Sequence, residues 1–123
     1  MITLERRDKM PLTVNSARRK GEWSYRTELA NWRAWAKAAA EEAGYGPIGS
    51  PVGARVTHLR KNRAAMPDVG ACYFAVKAVI DGLVDAGVLP EDGPDVVQRL
   101  VFERPEIVGY HGLRVVIVER NAA

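Results

Sequence analysis

Residues 66–97 read MPDVGACYFAVKAVIDGLVDAGVLPEDGPDVV and hold the clearest helix signal in the chain. Apolar residues recur at intervals of three and four positions, which predicts one buried helix face: Val76, Val79, Ile80, Leu83 and Val84. We expect a helix from about residue 72 or 73 to residue 86, with Gly87 as its C-terminal stop. Pro67 and Gly70 interrupt the chain before this helix, and a turn at residues 90–94 follows it.

Acidic residues bracket the predicted helix, and one lysine lies on its surface. Asp68 precedes the helix, Glu91 and Asp92 follow it, and Lys77 and Asp81 are four positions apart on it. Carboxylates are the ligands that hard divalent cations prefer, and beside a basic patch they suggest phosphodiester chemistry. The alternative is that Lys77 and Asp81 form part of a surface ion-pair ladder, worth about 0.2–0.5 kcal/mol per contact.

The distance between the bracketing acids limits this idea. Asp68 and Asp92 lie 24 positions apart, and a helix of about 14 residues spans about 21 Å. The two carboxylates meet only if the flanking loops fold back toward each other, or if two copies of the chain dimerise.

The basic residues are unevenly distributed. There are 18 Lys and Arg against 15 Asp and Glu, a net charge of +3. One basic cluster lies in the first quarter of the chain and a second just before the predicted helix, whereas the acids concentrate around residues 81–95. This segregation suits an anionic polymer bound beside a metal site. Solvated surface charge with no partner is an equally simple interpretation.

The remaining segments predict an α+β domain that spans residues 1–123. Strands are expected at residues 2–7, 54–62, 96–103 and 113–119, and the last two are joined by an irregular hairpin connection. A second helix is expected at residues 25–43, capped by Ser24 and stopped by Gly44, after a loop at residues 9–21. The order β-α-β-α-β-β favours a mixed β-sheet with two helices packed on it.

Two residue types on these elements have alternative roles. Trp32 and Trp35 lie on an alanine-rich helix, where core or dimer packing is a better interpretation than base stacking. His58, alone on a strand, is expected to be structural or exposed rather than a general base.

Several kinds of site are absent from the sequence. The single cysteine, Cys72, excludes an internal disulfide and a cysteine-based zinc site, and two histidines are too few for a histidine-rich metal centre. There is no phosphate-binding loop, dinucleotide fingerprint or HExxH motif. No apolar run approaches the roughly 18 residues of a membrane helix. MITLERRDK lacks the apolar core of a signal peptide, so we expect a cytoplasmic protein and no membrane partner.

The segment KAVIDGLVDAGVLPEDGPDVV, preceded by a basic segment and by MPD, resembles the RusA-type Holliday-junction resolvase family, especially its divergent phage-like members. That family has an arginine-rich lead, a DxDN element, the pattern K-A-x-x-D-A/G-L, then A-G and an acidic pair before a strand. The chain matches the central pattern at Lys77, Ala78, Asp81, Gly82, Leu83, Ala86 and Gly87, and the acidic pair at Glu91 and Asp92. The segment PLTVNSARR, with Asn15, looks like the family's N-terminal segment.

The resemblance implies a homodimeric, Mg²⁺-dependent endonuclease, also able to use Mn²⁺, that cuts four-way DNA junctions and other branched DNA by paired incisions. Asp68, Lys77 and Asp92 would be its catalytic residues. Asp68 and Asp92 would bind the metal, with Glu91 and Asp81 as further ligands. The basic clusters would bind DNA through Asn15, Arg18, Arg19, Lys20, Arg60, Lys61 and Arg63.

The chain departs from the family at the DxDN element. It reads PDVGACYF there, with no acid between Asp68 and Asp81, and nine positions separate Asp68 from Lys77. One alternative is that Glu91, Asp81 or Asp95 takes the ligand role. Another is a RusA-like protein that binds branched DNA without cleaving it, and a third is a small scaffold or regulator with ordinary surface charge.

Overall fold

A computed structural model describes residues 1–49, 51–64 and 66–120; residues 50, 65 and 121–123 of the predicted domain lie outside the described part. The elements in chain order are β1 (Ile2–Arg7), α1 (Val14–Arg19), α2 (Glu22–Glu42), β2 (Val52–Arg60), α3 (Tyr73–Asp85), β3 (Val97–Phe102), β4 (Glu106–Ile107) and β5 (Gly112–Glu119). The chain is α+β, as predicted. It has three described helices rather than two, because α1 forms within the segment predicted to be a loop.

The strands form one mixed sheet in the order β1-β5-β2-β3, and β4 pairs with the end of β2. β5 is antiparallel to both β1 and β2, whereas β3 is parallel to β2. The predicted hairpin between β3 and β5 is therefore wrong, since β2 lies between them. Consecutive strands often pair, but here both β3 and β5 pair with β2, one on each of its edges.

One face of this sheet builds the core with the helices. Apolar residues on this face are aligned across neighbouring strands: Leu4 lies opposite Val115, and Val115 lies opposite Val56. These side chains join a single apolar cluster with Trp32 of α2 and Val79 of α3. Each large apolar side chain buried there contributes about 1.5–3 kcal/mol. Trp32 is completely buried, which confirms the packing interpretation for that residue.

Two element boundaries differ from the sequence prediction for local reasons. α2 begins at Glu22 with Gly21 as its N-cap, so the predicted cap at Ser24 is wrong and Ser24 lies inside the helix. Glu22 in the first turn suits the positive end of the helix dipole and pairs with Arg26 at 2.7 Å. β2 lies two residues earlier than predicted and ends at Arg60. No helix among the described residues is both long and apolar enough to cross a membrane.

α2 and α3 approach each other closely at a glycine. A Cβ on Gly82 would lie 2.4 Å from the carbonyl oxygen of Arg33 and 2.7 Å from Cβ of Ala36. The same contact is held by Arg33, whose Nε and Nη2 donate to the two carboxylate oxygens of Asp85 at 2.6 and 2.8 Å. Only a residue without a side chain fits at position 82.

We therefore expect Gly82→Ala to lower the free energy of unfolding by about 1–3 kcal/mol, because the added methyl group pushes backbone against backbone. The destabilisation caused by the clash should exceed the stabilisation of about 1 kcal/mol that comes from replacing glycine by alanine within a helix. Urea unfolding measures it. Gly46→Ala is the control, since nothing lies within 4 Å of the position of its Cβ. Equal stabilities of the two variants would contradict the close helix contact.

Candidate functional site

A cleft of about 690 Å³ opens between α1, the end of β2 and the loop that leads into α3. We call it the α1 cleft. The N–H of Val14 donates to the carbonyl of Ala71 at 2.9 Å and joins the two sides. Polar residues from all three segments line it: Thr13, Asn15, Ser16, Arg19, Arg60 and Asp68.

The first wall of the α1 cleft depends on a reciprocal cap. Oγ1 of Thr13 accepts from the N–H of Ser16 at 3.1 Å, and the N–H of Thr13 donates to Oγ of Ser16 at 2.9 Å. Asn15 and Arg19 are four positions apart on the resulting helix, and both line the cleft. Thr13 and Ser16 were missed as site residues. The signal that could have found them is their three-residue spacing, which is that of a capping box.

The second wall contributes a buried arginine. Arg60 is only 7% exposed, and its Nη2 donates to the carbonyl of Ala64 at 3.1 Å. The guanidinium therefore lies beneath the cleft surface and holds the turn that follows β2. Lys61 and Arg63 are exposed in that turn and do not line the cleft.

The other predicted DNA contacts of the first basic cluster lie on a neighbouring surface. Arg18 and Lys20 line a separate hollow with Tyr25 and Phe74. Lys20 pairs with Glu28 at 3.4 Å. Three of the seven predicted DNA-binding residues, Asn15, Arg19 and Arg60, thus share the α1 cleft.

The loop before α3 places Asp68 in the α1 cleft, where it is exposed. Its carbonyl accepts from the N–H of Ala71 at 3.0 Å, which closes a turn ahead of the helix. Asp68 therefore faces the basic residues of α1 rather than the residues that follow α3.

A second group of predicted residues lies on α3 and the turn after it. Nζ of Lys77 lies 3.3 Å from Oδ2 of Asp92, and Asp92 is hydrogen-bonded to Asp81. Burial raises the pKa of Asp81, and the hydrogen bond with Asp92 raises it further. The hydrogen bond from Lys77 lowers the pKa of Asp92. Asp81 is therefore the weaker acid of the two. We call Lys77, Asp81 and Asp92 the α3 charge cluster.

Glu91 does not complete this cluster by its contacts. It is exposed, and its Oε1 lies 3.0 Å from the position that a Cβ on Gly93 would occupy. The Glu91 carboxylate therefore lies close to Gly93, within its own loop.

The four predicted metal ligands do not come together: Asp68 lies in the α1 cleft, Asp81 and Asp92 lie in the α3 charge cluster, and Glu91 lies over its own loop. Among residues 1–49, 51–64 and 66–120, no three His, Cys, Asp or Glu side chains are arranged to hold a common metal ion. Mg²⁺ is commonly held by one or two carboxylates together with waters and substrate phosphates. A magnesium ion therefore fits the α3 charge cluster only with further oxygen ligands from a substrate or a second subunit.

His58 is enclosed by protein rather than directed at a ligand. It is 2% exposed, and neither ring nitrogen has a hydrogen-bond partner among the described residues. Burial, together with the charges of the nearby Arg60 and His111, lowers its pKa to about 4. The imidazole is therefore neutral at pH 7 and belongs to the core, in agreement with the structural interpretation.

No family model matches this chain, and no curated protein is significantly similar to it. The RusA-type resemblance consequently rests on the residues of the chain itself.

The burial of His58 predicts a pH dependence of stability. Between pH 6.5 and about 4 the unfolded chain protonates His58 and the folded chain does not. The free energy of unfolding should therefore fall as the pH is lowered through this window, by up to about 3 kcal/mol from this residue. Urea unfolding at pH 7 and pH 4.5 measures the change.

The variant His58→Gln should lose that part of the pH dependence. His111→Gln is the matched control, because His111 is only partly buried and its Nδ1 already accepts from the N–H of Lys61 at 3.2 Å. Identical pH dependence in wild type and His58→Gln would show that His58 is not held neutral by the fold.

Proposed function

We propose that this chain is a RusA-like protein that binds branched DNA through the α1 cleft. The observation that carries the proposal is the convergence of three separately predicted residues. Asn15 and Arg19 come from α1 and Arg60 from the end of β2, and they line one cleft of about 690 Å³. The Lys77–Asp92 segment supports the RusA-type resemblance by its sequence pattern.

The lining of the cleft suits phosphate groups. The amide of Asn15 and the guanidinium of Arg19 are donors at its surface. The planar fork of an arginine matches two phosphate oxygens, and such contacts position a duplex without reading its sequence. Lys61 and Arg63, exposed in the turn after β2, extend the same charge beyond the cleft.

The kind of DNA follows from the resemblance and from symmetry. A four-way junction has approximate two-fold symmetry, so a homodimer would present one α1 cleft to each half. In this proposal the protein works in the cytoplasm of a bacterial cell or a phage-infected host, during recombination, repair or phage DNA processing. Sedimentation of the free protein and of the junction complex tests the dimer.

We expect Arg19→Ala to weaken binding to a synthetic four-way junction by about 1–2 kcal/mol, or roughly 5- to 30-fold, because one charge-assisted contact to phosphate is lost. The slope of the logarithm of the binding constant against the logarithm of salt should fall by about 1. Fluorescence anisotropy across a salt series measures both.

The control for this experiment removes the same charge elsewhere. Lys37 lies exposed on α2, pairs with Glu41 at 3.4 Å and does not line the cleft. Lys37→Ala should leave affinity and salt slope close to those of wild type. An equal loss in both variants would indicate diffuse charge attraction instead of a site, and no junction binding at low salt would refute the proposal.

A second candidate is the Mg²⁺-dependent endonuclease of the family, and the α3 charge cluster favours it. Asp81 and Asp92 would hold Mg²⁺ or Mn²⁺ together with oxygen atoms of the substrate. When bound, the metal would activate a water and neutralise the leaving oxygen. Lys77 would face the phosphate, and its pairing with Asp92 at 3.3 Å supports that role. Asp68 lies in the α1 cleft and would not be a ligand of that ion.

A four-way junction incubated with the protein and Mg²⁺ separates the two candidates. If the protein binds the junction without hydrolysing it, the strands should remain intact at protein concentrations that saturate the junction. This is the result we expect. Symmetric nicks would establish the nuclease, provided that Asp92→Asn abolishes them while keeping junction affinity. Nicks that persist in Asp92→Asn would indicate a contaminating nuclease. Denaturing gels with each strand labelled in turn measure the outcome.

A further inference from the structure

One edge of the sheet is open to pairing with another strand. β3 ends the strand order β1-β5-β2-β3, so only its side toward β2 is paired. The N–H of Glu103 donates to the carbonyl of Val56 at 2.8 Å, so the backbone groups of Glu103 and Val101 point toward β2. Because these groups alternate along a strand, those of Leu100 and Phe102 point away from β2. Among the described residues they have no hydrogen-bond partner.

The edge at β3 is poorly protected against pairing. Natural edge strands are commonly protected by charged side chains, by proline or by a covering segment. The strand Val97–Phe102 reads VQRLVF, with one charged residue and no proline, and its pairing with β2 is regular from Arg99 onward. At the other edge, three of the six residues of β1 are charged, and the hydroxyl of Tyr45 donates to the carbonyl of Thr3 at 3.3 Å. β3 is therefore the edge suited to pairing.

The side chains of β3 differ between the two faces of the sheet. Leu100 and Phe102 are half-buried at the border of the core, on the face that carries the helices. Arg99, Val101 and Glu103 line a hollow of about 300 Å³ on the opposite face. A strand that pairs with β3 must therefore match apolar groups on one face and charges of both signs on the other.

Arg99 has no counter-ion within its own chain. It is exposed and makes no ion pair in the described part of the molecule. Glu103 lies on the same face and pairs with Arg55 at 3.4 Å, where both side chains are well exposed. Because a carboxylate accepts several hydrogen bonds, Glu103 can also bind a second guanidinium.

Two-fold symmetry restricts the ways in which two β3 strands can pair. An axis perpendicular to the sheet makes the strands antiparallel, and residues whose backbone groups point outward must face each other. With the axis at Arg99, two like charges face each other, which is destabilising. With the axis at Leu100, Phe102 faces the polar Gln98. With the axis at Phe102, Leu100 faces the charged Arg104.

We propose that β3 pairs with β3 of a second copy of this chain about a two-fold axis at Val101. In this register Leu100 and Phe102 of opposite copies exchange backbone hydrogen bonds and their side chains meet, while Arg99 faces Glu103 of the second copy. Both complements are present in the strand itself, so the partner that fits is another copy. The inference rests on the homodimer of the proposed function and assigns it a surface.

Cysteine crosslinking tests the position of the axis. Val101→Cys should give a disulfide-linked dimer on a non-reducing gel after mild oxidation with diamide. Directly opposite residues of a non-hydrogen-bonded antiparallel pair have Cα atoms about 4.5 Å apart, which a disulfide can span. Val118→Cys is the control: Val118 is 40% exposed on the same face but lies on β5, two strands from the edge. It should not crosslink, and neither should wild type, since Cys72 is 2% exposed.

A charge reversal tests the pairing itself. Arg99→Glu places a carboxylate opposite Glu103 in both halves and should raise the dissociation constant of the dimer roughly 5- to 30-fold. Adding Glu103→Arg should restore most of the affinity. Arg120→Glu is the matched control, because Arg120 lines the same hollow but lies outside β3, and its dimer should be as stable as that of wild type. Sedimentation equilibrium without DNA measures all four proteins.

The outcomes separate this inference from the proposed function. A wild-type chain that sediments as a monomer overturns the inference, whether or not it binds a junction. A dimer that is not crosslinked through Val101→Cys and is unaffected by Arg99→Glu uses another surface and also overturns it. Equal crosslinking of Val118→Cys would indicate random collisions and has the same consequence. A wild-type dimer with these properties that binds no junction overturns the proposed function and leaves the β3 contact standing.

Discussion

The contact between α2 and α3 at Gly82 is the constraint on which the packing of the helical layer depends. With no side chain at that position, α3 lies directly against the backbone of α2, and the two-oxygen contact of Arg33 with Asp85 fixes the rotation of one helix against the other. That rotation brings Tyr73 and Phe74 to Tyr25 and leaves Lys77 and Asp81 on the open side of the groove. A wider separation of the helices would part Tyr25 from Phe74.

β2 connects this helical layer to the α1 cleft. Like β5, it has neighbours on both sides, β5 on one and β3 and β4 on the other. Its last residue, Arg60, is buried and holds the following turn through the carbonyl of Ala64, so the turn that carries Lys61 and Arg63 is anchored to the most enclosed strand.

Periodicity along the chain predicted the elements whose stability comes from a buried face. α3 was predicted within about one residue, and Leu113, Val115 and Ile117 alternate as a half-buried strand should. α1 was not predicted, because its six residues bury nothing completely and its start depends on the side chains of Thr13 and Ser16. The grouping of site residues was predicted in part. Lys77 and Asp81 are four positions apart on one helix, and this spacing is visible in the sequence. The positions of Asp68 and Asp92 depend on loops, and no periodic pattern in the sequence predicts the path of a loop.

α1 is far shorter than the roughly 12–15 residues that an isolated helix needs in water. Its persistence depends on the Thr13–Ser16 cap and on the single backbone bond from Val14 to Ala71. The wall of the cleft is therefore a local unfolding unit that opens at much lower free energy than the sheet, and its amides exchange with solvent long before those of β2. In the proposed function, a phosphate backbone bound by Asn15 and Arg19 would shift this equilibrium toward the closed helix, and ordering of α1 would be part of binding.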